Sequence, residues 1–384
     1  MLVFTAYFGL AQQAPSASDR VLASLQEKQT LTENSLVKNL PFTNIGPTIM
    51  SGRVVDLAVN PSNPTEFYVG YASGGVWHTV NNGTTFTPIL DNSPTQNVGS
   101  LAVDWNTRTI WVGTGEVNSS RSSYAGIGLL RSSNNGDTWE HLGLADSHHI
   151  SKILINPTNP KHMVVSVVGH LYSKNNQRGV YKTTDGGVTW KKIINGLPNE
   201  PINTVREDAV RKGLLFAGSE NAVYFSLDAG ENWQSLRLNM PATSIRDLVI
   251  KDDDIVIGTH GRSFWILDNI TPLRQLKVNA PTATTLYKPQ QAIRIRWNMN
   301  TDTPLPPEEP AGENPPDGAV IDYYLNNNEE LVQLDILNDK GTLVRSFSNK
   351  DTLYNIPDVN IPLYWIKPQQ ILSAKQGAHR FLWD

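Results

Sequence analysis

The sequence contains no cysteine in its 384 residues. This absence excludes disulfide bonds, thiolate metal sites, a cysteine nucleophile and a cysteine for a lipid anchor. By itself it does not indicate a cellular compartment.

Clusters of positive charge are also missing. The 32 lysines and arginines are balanced by 36 aspartates and glutamates, which gives a net charge of −4, and no basic run stands out. Nucleic acids and anionic membranes attract proteins through such clusters. We therefore predict neither as a partner.

Motifs for several classes of chemistry are absent from the sequence. It has no His-Glu-x-x-His pattern, no Gly-x-Ser-x-Gly elbow and no phosphate-binding loop. His148 and His149 stand before a predicted strand without further metal ligands. Asp252–Asp254 lacks the glycine and distal glutamate of a calcium loop. We predict no metal and no cofactor.

A short apolar segment, Met1 to Ala11, precedes Gln12 and Gln13. It resembles the apolar core and cleavage site of a secretory signal, although the basic start is missing. A buried strand or a frayed end is the alternative, and the segment is too short to span a bilayer. We assign residues 1–13 as signal-peptide-like and residues 14–42 as a polar segment with one helix near Asp19 to Lys28.

An eight-residue motif occurs four times, at residues 79–86, 132–139, 183–190 and 226–233. Its pattern is Ser/Thr-x-Asp/Asn-x-Gly-x-Thr/Asn-aromatic, and the steps between copies are 53, 51 and 43 residues. Such a period indicates an array of one supersecondary unit that cannot bury its apolar face alone.

The motif predicts a hairpin turn. The Asp or Asn side chain can accept a hydrogen bond from a main-chain N–H two residues on. The glycine supplies a positive φ, and the aromatic residue starts the next strand. We interpret these positions as structural: Asn81, Gly83, Phe86, Asn134, Gly136, Trp139, Asp185, Gly187, Trp190, Asp228, Gly230 and Trp233.

Each motif lies within a longer unit of short β-branched and aromatic runs separated by Pro, Asn and Gly turns. A fifth unit, at about 245–267, lacks the motif. With the run after each motif there are four strands per unit, and five units over 54–276 give about 45 residues each, as in a propeller blade. We predict an all-β fold with a β-propeller of about five four-stranded blades at 43–278.

The motifs resemble Asp boxes, also called BNR repeats, which occur in sialidases, xyloglucanase-like hydrolases and the sortilin ectodomain. The segments 73–77, 111–116, 179–187 and 258–265 resemble large secreted, sortilin-like BNR-repeat proteins of environmental bacteria. The resemblance covers roughly 40–384 and implies a WD40/YVTN/BNR-like propeller and a secreted, periplasmic or cell-surface bacterial protein. Those proteins usually carry more repeats between the third and fourth units, so an incomplete propeller is an alternative.

The periodicity stops after Gln275. Residues 279–318 are predicted to be a linker with a Pro-rich stretch. Three later runs, Ala319–Leu325, Leu331–Leu337 and Thr342–Phe347, have strand patterns. We predict an incomplete Ig-like β-sandwich at 319–384.

Candidate ligand contacts lie on the loops that join second to third strands, opposite the motif turns, because function concentrates on loops of a rigid scaffold. An unusually long one spans 116–127. The predicted ligand-binding residues are Ser73, Glu116, Asn118, Arg121, Tyr124, His170, Glu220, His260 and Arg262.

These residues predict a binding scaffold for a protein or glycan ligand. The first alternative is a glycoside hydrolase, which needs two carboxylates roughly 5 to 9.5 Å apart. Glu116 and Glu220 are the candidates, although their units are not adjacent. A sialidase is disfavoured because the Arg-Ile-Pro signature is absent. The second alternative is a truncated family member without activity of its own. The oligomeric state stays open.

Overall fold

The computed structural model describes residues 17–38, 40, 52–118, 123–278, 281–293, 308, 312, 314–316, 318–366 and 369–383. The signal-peptide-like segment, Arg121 and most of the Pro-rich stretch lie outside these residues. The described chain forms two units. The first draws on residues 1–207, 215–248 and 258–263, and the second on 208–214, 249–257 and 264–384.

The first element is helix α1 (Ser18–Glu33), which contains the helix predicted near Asp19 to Lys28. Its Val21 and Leu25 pack against a cluster of buried side chains in the first unit. No helix in the described residues is long and apolar enough to cross a bilayer.

The chain is nearly all β, and each of the first four repeats forms one four-stranded antiparallel sheet, which we call a blade. Blade 1 contains β1 (Val54–Val59), β2 (Phe67–Tyr71), β3 (Gly75–Thr79) and β4 (Thr87–Pro88). Blade 2 contains β5 (Val98–Asp104), β6 (Thr109–Thr114), β7 (Leu129–Ser132) and β8 (Glu140–His141). A 3₁₀ turn at Ala145–Ser147 follows blade 2.

The same up-and-down order continues in the next repeats. Blade 3 contains β9 (Ile150–Ile155), β10 (Met163–Val167), β11 (Gly179–Thr183) and β12 (Lys191–Lys192). Blade 4 contains β13 (Ile202–Glu207), β14 (Leu215–Ser219), β15 (Val223–Ser226) and β16 (Gln234–Ser235). Blade 5 has three strands in the described chain: β17 (Ile245–Lys251), β18 (Asp254–Thr259) and β19 (Phe264–Leu267). The motif-free fifth unit thus has one strand fewer than the others.

All four repeated motifs form the turn between the third and fourth strands of a blade, as predicted. In the third copy, the Thr183 hydroxyl accepts the Gly187 N–H at 3.0 Å, and the Asp185 carboxylate accepts the Thr189 N–H at 3.0 Å. The other copies repeat both bonds at 2.9 to 3.0 Å. The Asp or Asn therefore accepts from the residue four places on, not two as the sequence suggested. The hydroxyl at the first position completes the turn.

The tryptophans of the motifs fasten each blade to the one before it. The indole N–H of Trp190 donates to the Leu142 carbonyl at 2.8 Å, and that of Trp233 to the Ile193 carbonyl at 3.0 Å. Trp139 makes the same bond to Ile89. The aromatic residue is therefore an anchor between blades.

In blades 1, 2 and 4 a glycine occupies the next-to-last position of the second strand, where blade 3 has Ser166, and it lets the following blade approach closely. A Cβ added to Gly113 would lie 2.5 Å from the Cγ2 of Ile150, which begins the next blade. Gly70 and Gly218 face the first residue of the following blade in the same way. At these three glycines a larger side chain would push the following blade away.

The second unit contains a separate β structure. Strand β21 (Ala319–Leu325) pairs with β20 (Thr285–Leu286) and β24 (Gly377–Trp383), and β22 (Gln333–Leu337) pairs with β23 (Leu343–Ser348). The short helix α2 (Thr271–Gln275) and a 3₁₀ turn at Leu363–Trp365 complete its elements. The sandwich assignment and the domain boundaries stay predictions.

Candidate functional site

One end of the blades in the first unit carries the connections between second and third strands. We call this end the loop face. It comprises residues 72–74, 115–118, 123–128, 168–178, 220–222 and 260–263, with the starts of the first strands beside them. The predicted ligand-binding residues lie in these connections, except Arg121, which is outside the described residues.

The long connection of blade 2 is tied down at both ends. The Glu116 N–H donates to the Tyr124 carbonyl at 3.2 Å, and the Asn97 side chain donates to the Ala125 carbonyl at 3.2 Å. Gly115 has a φ of +88°, and a Cβ there would lie 1.8 Å from the His148 carbonyl oxygen. Only glycine permits this approach of the connection to the chain before blade 3.

Glu116 is the most buried of the predicted ligand contacts, with no exposed surface. Its Oε1 accepts two hydrogen bonds from Arg53, and the Nε of Arg53 lies 2.6 Å away. The Arg53 side chain is half exposed. The Oε2 of Glu116 is buried and has no hydrogen-bond partner among the described residues. The carboxylate thus orients an arginine at the surface and retains one unused acceptor.

Three histidines lie next to this connection. The rings of His148 and His170 stack with centroids 3.7 Å apart, and the His149 ring is 6.3 Å from that of His148. His148 has a φ of 53°, a strained conformation for a residue with a side chain. Nδ1 of His149 and both ring nitrogens of His170 are buried without a partner among the described residues.

Burial keeps two of these imidazoles neutral. It lowers the pKa of His149 to about 4, and the neighbouring His148 lowers it further. Burial also lowers the pKa of His148, with a second contribution from His170. Neutral imidazoles have one donor and one acceptor nitrogen. The cluster can therefore offer both kinds of hydrogen bond at neutral pH.

The connection of blade 3 is wound around Arg178. Its guanidinium donates to the carbonyls of Val168, His170 and Ser173 at 2.8 to 3.2 Å. Burial lowers the pKa of Arg178, and the charge of Glu220 opposes that effect. Arg178 therefore holds the loop that carries His170.

Glu220 begins the short connection of blade 4 and is partly exposed. Its Oε1 accepts from Asn203 at 2.9 Å and from Arg246 at 3.2 Å. Asn203 also donates to the Ile245 carbonyl at 3.1 Å. The carboxylate therefore joins the start of blade 4 to the start of blade 5.

The remaining predicted contacts are solvent-exposed: Ser73, Asn118, Tyr124, His260 and Arg262. Tyr172, in the connection of blade 3, is exposed as well. The loop face thus presents two tyrosine rings together with arginine, glutamate and histidine groups.

Sequence reasoning identified the loops but missed the groups that organise them. Arg246 and Asn203 lie at strand starts and reach Glu220 only through the packing of blades. The His148–His149 pair was considered as a metal site and disfavoured, and the structure stacks the ring of His148 on that of His170. Among the residues that the structure describes, no three His, Asp or Glu side chains are placed to hold a metal ion.

An open concavity of about 460 Å³ lies elsewhere, along α1. Its lining, which includes Glu27, Lys28 and Leu31, comes from the helix and the turn after it. It contains no residue of the loop face.

No protein-family model matches the chain, and no curated protein matches it. Some solved structures are similar to parts of the chain, with TM-scores below 0.5. A GH74 xyloglucanase from Xanthomonas campestris is 16% identical, with 59% of this chain and 38% of that chain covered and a TM-score of 0.45. A GH74 enzyme of Niastella koreensis is 15% identical, covering 70% and 41%, with a TM-score of 0.44.

A β-propeller domain from Myceliophteria thermophila is 12% identical, with 58% of this chain and 67% of that chain covered and a TM-score of 0.42. The chain spans about two fifths of the length of the two GH74 enzymes. Similarity at this level does not extend to activity, substrate or blade number.

Proposed function

We propose that the protein is a secreted Asp-box β-propeller of the sortilin-like type that serves as a binding scaffold. A protein or glycan ligand would bind at the loop face. The observation that supports this most is a set of buried polar atoms without partners in the described chain: Glu116 Oε2, His149 Nδ1 and both ring nitrogens of His170. They lie in or beside loops that also carry exposed tyrosines.

The physical argument rests on the cost of these atoms. A buried polar group without a hydrogen bond destabilises a fold by about 1–3 kcal/mol, so native structures contain few of them. Several at one end of the blades favour a place where a polar ligand or ordered water completes the hydrogen bonding. The mixture of a few fixed polar groups with aromatic rings is typical of ligand sites.

The exposed rings favour a glycan as one class of ligand. Tyr124 and Tyr172 each offer an apolar ring face with a polar hydroxyl, and such rings bury area at low entropic cost. Arg53, held by Glu116, adds a half-exposed guanidinium charge at the same end of the blades. A protein surface with polar side chains fits the same groups.

The glycoside hydrolase alternative has weaker support. A hydrolase of this kind needs one carboxyl that carries a proton and a second that acts as base or nucleophile. Oε1 of Glu116 accepts from Arg53, and Oε1 of Glu220 accepts from Arg246. Both candidate carboxylates are thus engaged in contacts that hold the loop face, which supports binding over hydrolysis.

Binding is tested by affinity electrophoresis against a panel of soluble polysaccharides, with Tyr124→Ala and Tyr354→Ala as a matched pair. Both tyrosines are 55 to 56% exposed, but Tyr354 is outside the loop face. We expect Tyr124→Ala to weaken binding about tenfold or more, since truncation of an aromatic anchor in a binding site costs about 2 kcal/mol or more, and Tyr354→Ala to bind as the wild type. Equal affinities for the two variants would contradict the location.

Hydrolysis is tested on the same panel with Glu116→Gln and Glu220→Gln. The scaffold proposal expects binding without release of reducing ends. Turnover by the wild type that either substitution abolishes would establish the hydrolase instead. Thermal unfolding of both variants, measured in parallel, separates loss of activity from loss of fold.

A further inference from the structure

The inner strand of blade 1 has an exposed face where the other blades are covered. In blades 2 to 5 the first residue of the first strand is 0% exposed: Val98, Ile150, Ile202 and Ile245. The equivalent residue of blade 1 is Val54, which is 57% exposed. The cross-strand register supports the equivalence, because Val54 faces Tyr71 as Val98 faces Thr114.

A second position repeats the pattern. Residues at the fourth position of the first strand are at most 3% exposed in the later blades: Leu101, Ile153, Val205 and Leu248. Their counterpart in blade 1, Leu57, is 51% exposed. Val98 packs on Gly70, and Ile150 on Gly113, so the first strand of a blade is covered by the preceding blade. We call the exposed side of blade 1, with Val54 and Leu57, the back face.

Blade 5 is exposed on its opposite side, the side that faces the following blade in blades 1 to 4. Early in the third strand, the side chain that faces the following blade is 0% exposed in the first four blades: Val76, Leu129, Val180 and Val223. Phe264 has this place in blade 5 and is 79% exposed. In β17, Val249 corresponds to Ala102 and Leu154, which pack toward the next blade, and it is also exposed. We call this side of blade 5, with Val249 and Phe264, the front face.

The residues of the repeated motif show the same correspondence between blade 1 and blade 5. In blades 2 to 4 a tryptophan donates to a carbonyl directly after the fourth strand of the preceding blade. Blade 1 has Phe86 at this position, which has no N–H to donate. Blade 5 has three strands in the described chain, without the fourth strand that would bring such a carbonyl. Blade 1 thus lacks the side-chain donor, and blade 5, in the described chain, lacks the carbonyl that would accept from it.

We propose that the back face of blade 1 docks on the front face of blade 5 of a second copy of this chain. The contact repeats between chains the packing that consecutive blades make within one chain. Every molecule carries both the back face and the front face, and both are apolar. An interface between two different surfaces is head-to-tail, and it forms a ring when the rotation closes. Exposed apolar surfaces of this kind are typical of association sites.

The experiment is sedimentation velocity of the full chain over a hundredfold concentration range, with Leu57→Glu and Phe264→Glu. Both residues are exposed, so neither substitution places a charge in a packed core. We expect the wild type to associate and each variant alone to sediment as a monomer, with at least tenfold weaker association. Val188→Glu is the control, because Val188 is 81% exposed in the motif turn of blade 3. It should associate as the wild type does.

Mixing the two variants gives the sharpest result. Leu57→Glu retains an intact front face and Phe264→Glu an intact back face, so the mixture should form a one-to-one complex that neither forms alone. A wild type that is monomeric at every concentration overturns the proposal. Self-association of both single variants, or a mixture that stays monomeric, overturns it as well. Circular dichroism of each variant verifies the fold.

Discussion

Lys152 in blade 3 reaches Asp56 in blade 1, and its Nζ lies 3.0 Å from both carboxylate oxygens. The Ser100 hydroxyl of blade 2 donates to the same carboxylate at 2.9 Å. Each of the three residues occupies the third position of the first strand of its blade. One partly buried carboxylate therefore ties three consecutive blades together along their inner strands.

Replacement of Lys152 by methionine should lower the free energy of unfolding by about 1–3 kcal/mol, because Asp56 would stay mostly buried without its cation. Urea denaturation measures the change. Lys251→Met is the matched control, since Lys251 pairs with Asp252 at 2.7 Å but both side chains are exposed. The control should change stability by less than about 0.5 kcal/mol. Equal losses in the two variants would show that burial of the pair is irrelevant.

Gly113→Ala should destabilise the protein by about 1–3 kcal/mol, since the added methyl meets Ile150 of the next blade at 2.5 Å. Differential scanning calorimetry measures the loss. Gly312→Ala is the comparison, because no described residue lies within 4 Å of a Cβ at that position. A Gly113→Ala protein as stable as the wild type would mean that the blades can separate without cost.

Thr183→Val should cost about 1–2 kcal/mol. The side chain is buried, and valine would leave the Gly187 N–H without its acceptor while the shape stays similar. Thr183→Ser retains the hydroxyl and should change stability by less than about 0.5 kcal/mol, as serine holds this position in the motifs at 132 and 226. Chemical denaturation of both variants tests the hydroxyl rather than the methyl group. A Thr183→Ser loss as large as that of Thr183→Val would assign the effect to packing.

Local pattern predicted the strands well because each is a short apolar run between turn residues. The run Ala319–Leu325 was predicted with the bounds that β21 has, and the motif turns fall where the period places them. The partner of each motif Asp or Asn was missed by two residues. Turn propensity identifies the residue that accepts, but the curvature of the finished hairpin decides which N–H reaches it.

The site was less accessible to sequence reasoning. Glu116 was predicted as a ligand contact from its place in a long loop, yet its carboxylate is buried and accepts from Arg53, 63 residues earlier. The His148–His170 stack depends on the positive φ of His148 and on the packing of blade 3 beside blade 2. Contacts between repeats depend on how the sheets pack, and the period of one repeat does not contain that information.

Glu66 should make stability depend on acid pH. A hydrogen bond from Arg108 lowers the pKa of this buried carboxyl from 4.5 to about 2 against the opposing effect of burial, with help from Asn60 and His78. A carboxyl with a depressed pKa stabilises the fold fully above pH 4.5 and loses that contribution as pH falls toward 2. Because Arg108 is half exposed, we expect about 1–3 kcal/mol. In Glu66→Gln the unfolding free energy should change less between pH 4.5 and 2 than in the wild type.

His149 should make stability depend on pH in the same direction, over a higher pH range. Its folded pKa of about 4 is below the ordinary 6.5, so between these values the unfolded chain binds the proton that the folded chain refuses. Stability should therefore fall by up to about 3 kcal/mol as pH drops from 6.5 to 4. His148 adds to the slope in the same direction. Urea titrations at several pH values should show a shallower slope for His149→Gln, whereas His260→Gln, at an exposed position of the loop face, should leave it unchanged. An unchanged slope in His149→Gln would mean that the imidazole takes its proton without unfolding, as a water-filled or ligand-accessible cluster would allow.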